Sequence, residues 1–153
     1  MVSTPSLKTE LENRGFKRVV LWPLGVDVDL FKRNENTPHA SLAKPVFVYF
    51  GRLAIEKNVE EYFECDLPGT KLVIGDGPLK QKLKKKYASA FTFIGYQKGQ
   101  SLVDWISAAD VFVFPSRTET FGLVVLEAMA CGVRVAAHNE MGPRDIISPG
   151  VDG

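Results

Sequence analysis

From Val46 onward, short apolar runs alternate with amphipathic stretches, and few architectures accept that pattern. Val46–Phe50, Lys71–Ile74, Phe91–Ile94, Val111–Phe114 and Val133–Ala137 read as strands. Between them, Asn58–Glu64, Leu79–Tyr87, Ser101–Ala108, Gly122–Ala130 and Pro143–Ser148 read as helices. Strands this apolar need cover on both faces. Strands separated by helices pair in parallel through crossovers, so the expected fold is doubly wound, Rossmann-like α/β. Ligands of such folds bind at the carboxyl ends of the strands. The unusual residues gather there: Gly51-Arg52, Gly75-Asp76-Gly77, Gly95-Tyr96, and Ser116 to Gly122.

The segment Ser116–Gly132, S-R-T-E-T-F-G-L-V-V-L-E-A-M-A-C-G, has the most chemistry. It places Glu119 in the loop after a strand and Glu127 about one and a half turns into the next helix. Phe121, Gly122 and Leu123 lie where that helix opens and its N–H groups lack partners, a setting that attracts phosphate. Ionised carboxylates accept from hydroxyls, so the flanking glutamates suit a sugar or ribose. A ligand with phosphates between two polyols fits, and a nucleotide-diphosphate sugar is such a ligand. Arg52 and Lys57 follow another strand end. Arginine grips phosphate bidentately and lysine adds a point charge. Without more, both also read as solvated side chains.

Other features have plainer readings. Gly75-Asp76-Gly77-Pro78 is a tight turn that either borders a ligand or lets backbones approach closely. It is not G-x-G-x-x-G, so no dinucleotide fingerprint is present. Asp27-Val-Asp29 spells D-x-D but has no third ligand nearby and reads as a turn with a helix cap. His39 and His138 belong to no Cys/His cluster and read as surface residues, so no metal site is expected. Lys80, Lys82, Lys84, Lys85 and Lys86 flank the apolar stripe Leu79, Leu83, Tyr87. They form a solvated face or, alternatively, one drawn to an anionic membrane surface.

Composition excludes several classes. The chain has 153 residues, enough for one core, with an apolar fraction of 45% and a charged fraction of 24%. Its net charge of +1 argues against nucleic acid as a partner. No apolar run approaches the ~18 residues of a membrane span. The start lacks the basic-then-apolar pattern of a signal peptide. Cys65 and Cys131 read as reduced packing residues, and the expected setting is cytoplasmic, with the inner membrane face as the alternative.

The glutamate segment resembles the donor-site signature of the family-four retaining glycosyltransferases, which have the two-Rossmann-domain GT-B architecture. The resemblance extends to V-Y-F-G-R-L-A-I-E-K-N (Val48 to Asn58), L-V-I-G-D-G-P (Leu72 to Pro78) and F-I-G-Y (Phe93 to Tyr96). It continues through A-A-D-V-F-V-F-P-S (Ala108 to Ser116) and G-P-R-D-I-I (Gly142 to Ile147), covering about Trp22 to Gly153. Where the family usually has proline after Cys131-Gly132-Val133, Arg134 stands here.

The resemblance implies that Arg52 and Lys57 hold the diphosphate, that Glu119 lies near the donor sugar and that Glu127 binds the ribose. It puts Gly77 at the border of the nucleotide pocket and Ile94, Gly95 and Tyr96 against the base, with Phe121, Gly122 and Leu123 at the phosphate-facing helix start. It implies transfer of a hexose to a hydroxyl acceptor, carbohydrate or lipid, with no cofactor beyond the nucleotide-sugar donor. Ser3-Thr4-Pro5 opens a helix expected to end at Gly15, and Val19–Trp22 reads as a strand. By resemblance, residues 1–24 are the remnant of an N-terminal domain that would hold the acceptor. Residues 25–153 are then a donor domain that the family continues past Gly153. A nucleotide-sugar binding module without turnover and a sugar-nucleotide epimerase are the competing readings. The paired R-L-A-I-E-K and E-T-F-G-L motifs favour the transferase.

Overall fold

The computed structural model describes residues 1–153. Its centre is a parallel sheet of five strands: β1 (Val46–Phe50), β2 (Thr70–Ile74), β3 (Thr92–Gly95), β4 (Val111–Phe114) and β5 (Arg134–Ala137), in the order β3-β2-β1-β4-β5. The helices are α1 (Pro5–Asn13), α2 (Glu60–Glu64), α3 (Lys80–Tyr87), α4 (Gly99–Ser107), α5 (Leu123–Ala130) and α6 (Pro143–Ile146). The strand order reverses between β1 and β4, and a crevice opens at such a switch point.

The period-two alternation of β1 divides the core. Val46, Val48 and Phe50 join a cluster that includes Val103 and Ile106 of α4 and Val125 and Ala128 of α5. Tyr49 faces the other way, toward Tyr62 and Phe63 of α2 and Leu83 of α3. Each side of the sheet's centre is thereby covered, which is why β1 has no polar face. Cys131 is buried in the first cluster, and burial, then the nearby Glu127, pushes its thiol up to about 11. Cys65 is exposed, and both thiols are free.

All five expected strands form, with small shifts at their ends. Two expectations change. The helix read over Asn58–Glu64 begins only at Glu60; before it, Ile55–Lys57 make a 3-10 turn and Asn58 takes a left-handed φ of 50°. Asparagine tolerates that conformation, and its Nδ2 gains a bond to the Pro115 carbonyl at 3.1 Å. The strand read over Val19–Trp22 is not a strand. It makes one isolated parallel bridge, Val2 to Leu21, apart from the sheet, and Val20 and Trp22 are exposed. Apolar composition there had no sheet edge to complete.

The helix cap near the start is as its residues require: Thr4 accepts from the Leu7 N–H at 3.3 Å, Pro5 opens α1, and Gly15 has a φ of 89°. Ser6 donates to Asp145 of α6 at 2.7 Å, joining α1 to the main body. The polar connector Asn34 to Lys44 is folded against α4. Asn34 Nδ2 donates to Asp104 at 2.7 Å, Thr37 donates to the Asp104 carbonyl at 2.6 Å, and the His39 ring stacks on Trp105 with centroids 3.4 Å apart. No helix is long and apolar enough to cross a membrane.

Candidate functional site

A cavity of about 550 Å³ opens at the carboxyl ends of the strands. Phe50, Gly51 and Arg52 line it from the end of β1, and Ile74, Gly75 and Asp76 from β2. Tyr96 through Gly99 and Leu102 line it from the β3–α4 side, and Val124 and Glu127 from α5. It therefore lies beside the strand-order reversal.

Two glycines make the wall thin. A side chain on Gly75 would collide with the Gly51 carbonyl, and a Cβ on Gly77 would lie 2.5 Å from the Leu53 carbonyl oxygen. Both have positive φ, and the backbone there continues the ladder beyond the strands. Gly51 N–H donates to the Ile74 carbonyl at 3.0 Å, Leu53 N–H to the Asp76 carbonyl at 2.8 Å, and Gly75 N–H to the Gly95 carbonyl at 2.9 Å. Gly77 thus serves close backbone approach and is not on the cavity wall. Of the β3 residues singled out, Tyr96 lines the cavity. Gly95 stands behind it through its carbonyl, and Ile94 packs against the core.

At the start of α5, Phe121 is buried, Gly122 precedes the helix with a φ of 91° and no side-chain cap, and Leu123 is 41% exposed. These three are not on the cavity wall; Val124, the second residue of α5, and Glu127, about one turn in, are.

The four charged candidates separate into two sets. Arg52 and Glu127 face the cavity. Arg52 is mostly exposed, its Nη1 lies 3.6 Å from Glu56, and its backbone carbonyl accepts from the Tyr49 hydroxyl at 2.8 Å. Glu127 is half-buried, and desolvation raises its carboxyl above the usual carboxylate range. Lys57 and Glu119 are off the cavity wall and hold each other at 2.7 Å. Thr118 donates to the Glu56 carbonyl at 2.9 Å and Asn58 to the Pro115 carbonyl at 3.1 Å. The loop after β1 and the loop after β4 are therefore strapped side by side.

Sequence reasoning passed over a second polar cluster. His138, read as a surface residue, is 27% exposed with Nε2 2.9 Å from Glu61, and Arg117 lies 3.6 Å from the same carboxylate. The His138 bond, above all, holds the Glu61 carboxyl below its ordinary range. Nothing in the spacing of residues 61, 117 and 138 joins them; only the sheet does. Gln97, Lys98 and Val124 were also missed, although their positions at strand end and first helical turn could have marked them.

Asp27 caps a turn, accepting from the N–H groups of Asp29 at 3.0 Å and Leu30 at 3.2 Å. No three His, Cys, Asp or Glu side chains converge as metal donors. On α3, Lys80 pairs with Asp76 at 2.6 Å, Lys82 pairs with Glu60 at 2.8 Å, and Lys86 lies 4.7 Å from the Tyr87 ring centre. The helix is less free a basic face than its sequence suggests.

Known proteins share this arrangement. The chain is 35% identical to a sulfoquinovosyl transferase of Arabidopsis thaliana, over 87% of this chain and 28% of that protein. It is 36% identical to a GDP-mannose-dependent alpha-mannosyltransferase of Mycobacterium tuberculosis, over 89% of this chain and 38% of that one. It thus spans about a third of the length of these relatives. Among solved structures, sucrose-phosphate synthase from Thermosynechococcus elongatus superposes with a TM-score of 0.84 at 28% identity, covering 97% of this chain and 42% of that one. Anabaena HepE in complex with UDP superposes with a TM-score of 0.81 at 21% identity, covering 99% and 48%, a likeness of fold. The family model described as glycosyl transferases group 1 matches residues 31–153, strands, cavity and glutamate loop included. By that match and by these relatives, the chain belongs to the group 1 glycosyl transferases.

Proposed function

We propose that the switch-point cavity binds a nucleotide-diphosphate sugar, and that the chain provides the donor side of a retaining glycosyl transfer. The observation that carries this is that Arg52 and Glu127 line one cavity, with Lys57 and Glu119 on the strapped loops beside it. The name of a 36%-identical relative, a GDP-mannose-dependent mannosyltransferase, supports the ligand class.

In this reading the base lies against Tyr96 and Gln97, and Glu127 accepts from the ribose hydroxyls. Arg52, Lys57 and the start of α5 near Gly122 hold the diphosphate. Glu119 accepts from hydroxyls of the transferred hexose. The bond between the sugar's anomeric carbon and the phosphate oxygen breaks, and the acceptor oxygen bonds to that carbon on the same face. The acceptor's proton passes to the departing phosphate, which leaves no role for a protein nucleophile. Charge grows on that phosphate as the bond breaks, and two cations beside it lower the barrier. The acceptor, a glycan or lipid hydroxyl, is held outside these residues.

Calorimetric titration with GDP-, UDP- and ADP-sugars tests the reading. Binding of one base series in preference to the others is expected. Heat-silent titrations with all three, confirmed by equilibrium dialysis, would remove the donor site from this cavity.

A further inference from the structure

The pairing of Lys57 with Glu119 has a consequence for ligand discrimination, and it rests on the donor reading above. Both cations given to the diphosphate already have carboxylate partners. Arg52 has Glu56 at 3.6 Å, an exposed pair, whereas Lys57 has Glu119 at 2.7 Å with side chains only 31% and 19% exposed. Water screens the first pair well and the second far less, so the second competes with an arriving phosphate. Glu119 is itself held in place, since its other oxygen accepts from the Thr120 N–H at 3.1 Å. The backbones of the two loops are fastened by Thr118 and Asn58. Lys57 and Glu119 can therefore change partners by side-chain rotation alone, with the loops unmoved.

We infer that Glu119 is a counter-ion latch on Lys57 that makes the site discriminate a sugar-bearing donor from the spent nucleoside diphosphate. A full donor compensates both members of the pair. Its phosphate takes Lys57, and its sugar hydroxyls take the freed Glu119 carboxylate. A nucleoside diphosphate compensates only Lys57 and leaves a shielded carboxylate with the Thr120 N–H alone and no counter-ion, a costly arrangement. Once the sugar has left, Glu119 recaptures Lys57 and the product is released. The same carboxylate thus helps to bind the donor and to expel what remains of it.

The test is calorimetry on the 153-residue chain with UDP, UDP-glucose, GDP, GDP-mannose, ADP and ADP-glucose, comparing wild type with Glu119→Gln. Glutamine keeps the volume but removes the charge that holds Lys57. For whichever base series binds, the variant is expected to bind the nucleoside diphosphate roughly fivefold tighter, the size of a released, partly shielded ion pair. It should bind the sugar-bearing donor no tighter, or more weakly, so the preference for donor over product collapses. An unchanged or weaker affinity of the variant for the nucleoside diphosphate would show that Glu119 orients Lys57 rather than competing for it, and would overturn the latch alone. Wild-type chain that binds none of the six ligands would overturn the donor reading and the latch with it. If Glu119→Gln does not give a cooperative melt, Glu119→Ala, which also removes the charge, is read in the same way.

Discussion

Glu127 shows how one side chain is made useful by its surroundings. It sits on a helix whose other face, Val125 and Ala128, is fully buried, so its own position is half-buried by geometry. Desolvation alone raises its carboxyl above the ordinary 4.5. Losing this charged acceptor should weaken donor binding by about 1.5–3 kcal/mol in Glu127→Ala, with the melting curve retained; equal affinities in calorimetry would take Glu127 out of the site. The raised value also fixes the sign of a pH effect. The folded chain takes up this proton at a higher pH than the unfolded chain. The group's stability contribution is therefore greatest below 4.5 and declines as pH rises through the raised folded value. Glu127→Gln, which does not titrate, should melt higher than wild type at pH 7 and no higher at pH 3.5 or so. Donor affinity of the wild type should fall over that same window on acidification, as the ribose acceptor loses its charge.

At the scale of elements, the turns after β1 and β2 matter more than the strands themselves. Positive φ and close approach coincide at Gly75, whose missing Cβ makes room for the Gly51 carbonyl. Gly95 has a positive φ of 86° but nothing within 4 Å of a Cβ. Gly75→Ala should thus cost several kcal/mol or prevent folding, whereas Gly95→Ala should cost about 1–2 kcal/mol, the left-handed penalty alone. Urea melts of the two variants check the contrast, and equal losses would mean that backbone strain, not crowding, governs the wall. The existence of these turns was legible, because glycines at the ends of apolar runs have few other uses. Their purpose was not, since crowding by a neighbouring strand depends on register. The Val19–Trp22 segment is the converse case: its composition favoured a strand, but pairing needs an edge that no local pattern reveals.

For the molecule as a whole, the proposed reading makes the cavity and the strapped loops one wall of a cleft. Transfer needs donor and acceptor held in line with water kept out. The 153-residue polypeptide is accordingly expected to bind donor weakly and to show no measurable transfer, and fusion to the N-terminal domain of a close relative should restore it. Robust transfer by residues 1–153 alone, followed by product analysis, would place the acceptor site within them. With Arg52, Lys57 and the start of α5 proposed to take the diphosphate charge, donor binding should survive EDTA. Loss of binding in the chelator would return attention to Asp27 and Asp29.

The sequence by itself determined the strand-helix alternation, the side of the sheet on which the cavity opens and the residue types that gather there. Those follow from local periodicity, from the unsatisfied N–H groups of helix starts and from a topology that sends each strand end to one edge. The tertiary structure alone decided which of those residues meet. Glu119 and Glu127 are close in the chain, yet one takes Lys57 while the other faces the cavity beside Arg52. Glu61 of α2 meets Arg117 and His138 of two separate loops. Such partnerships depend on strand order, which places β4 next to β1, and hydrophobic patterning is blind to order because every buried strand reads alike.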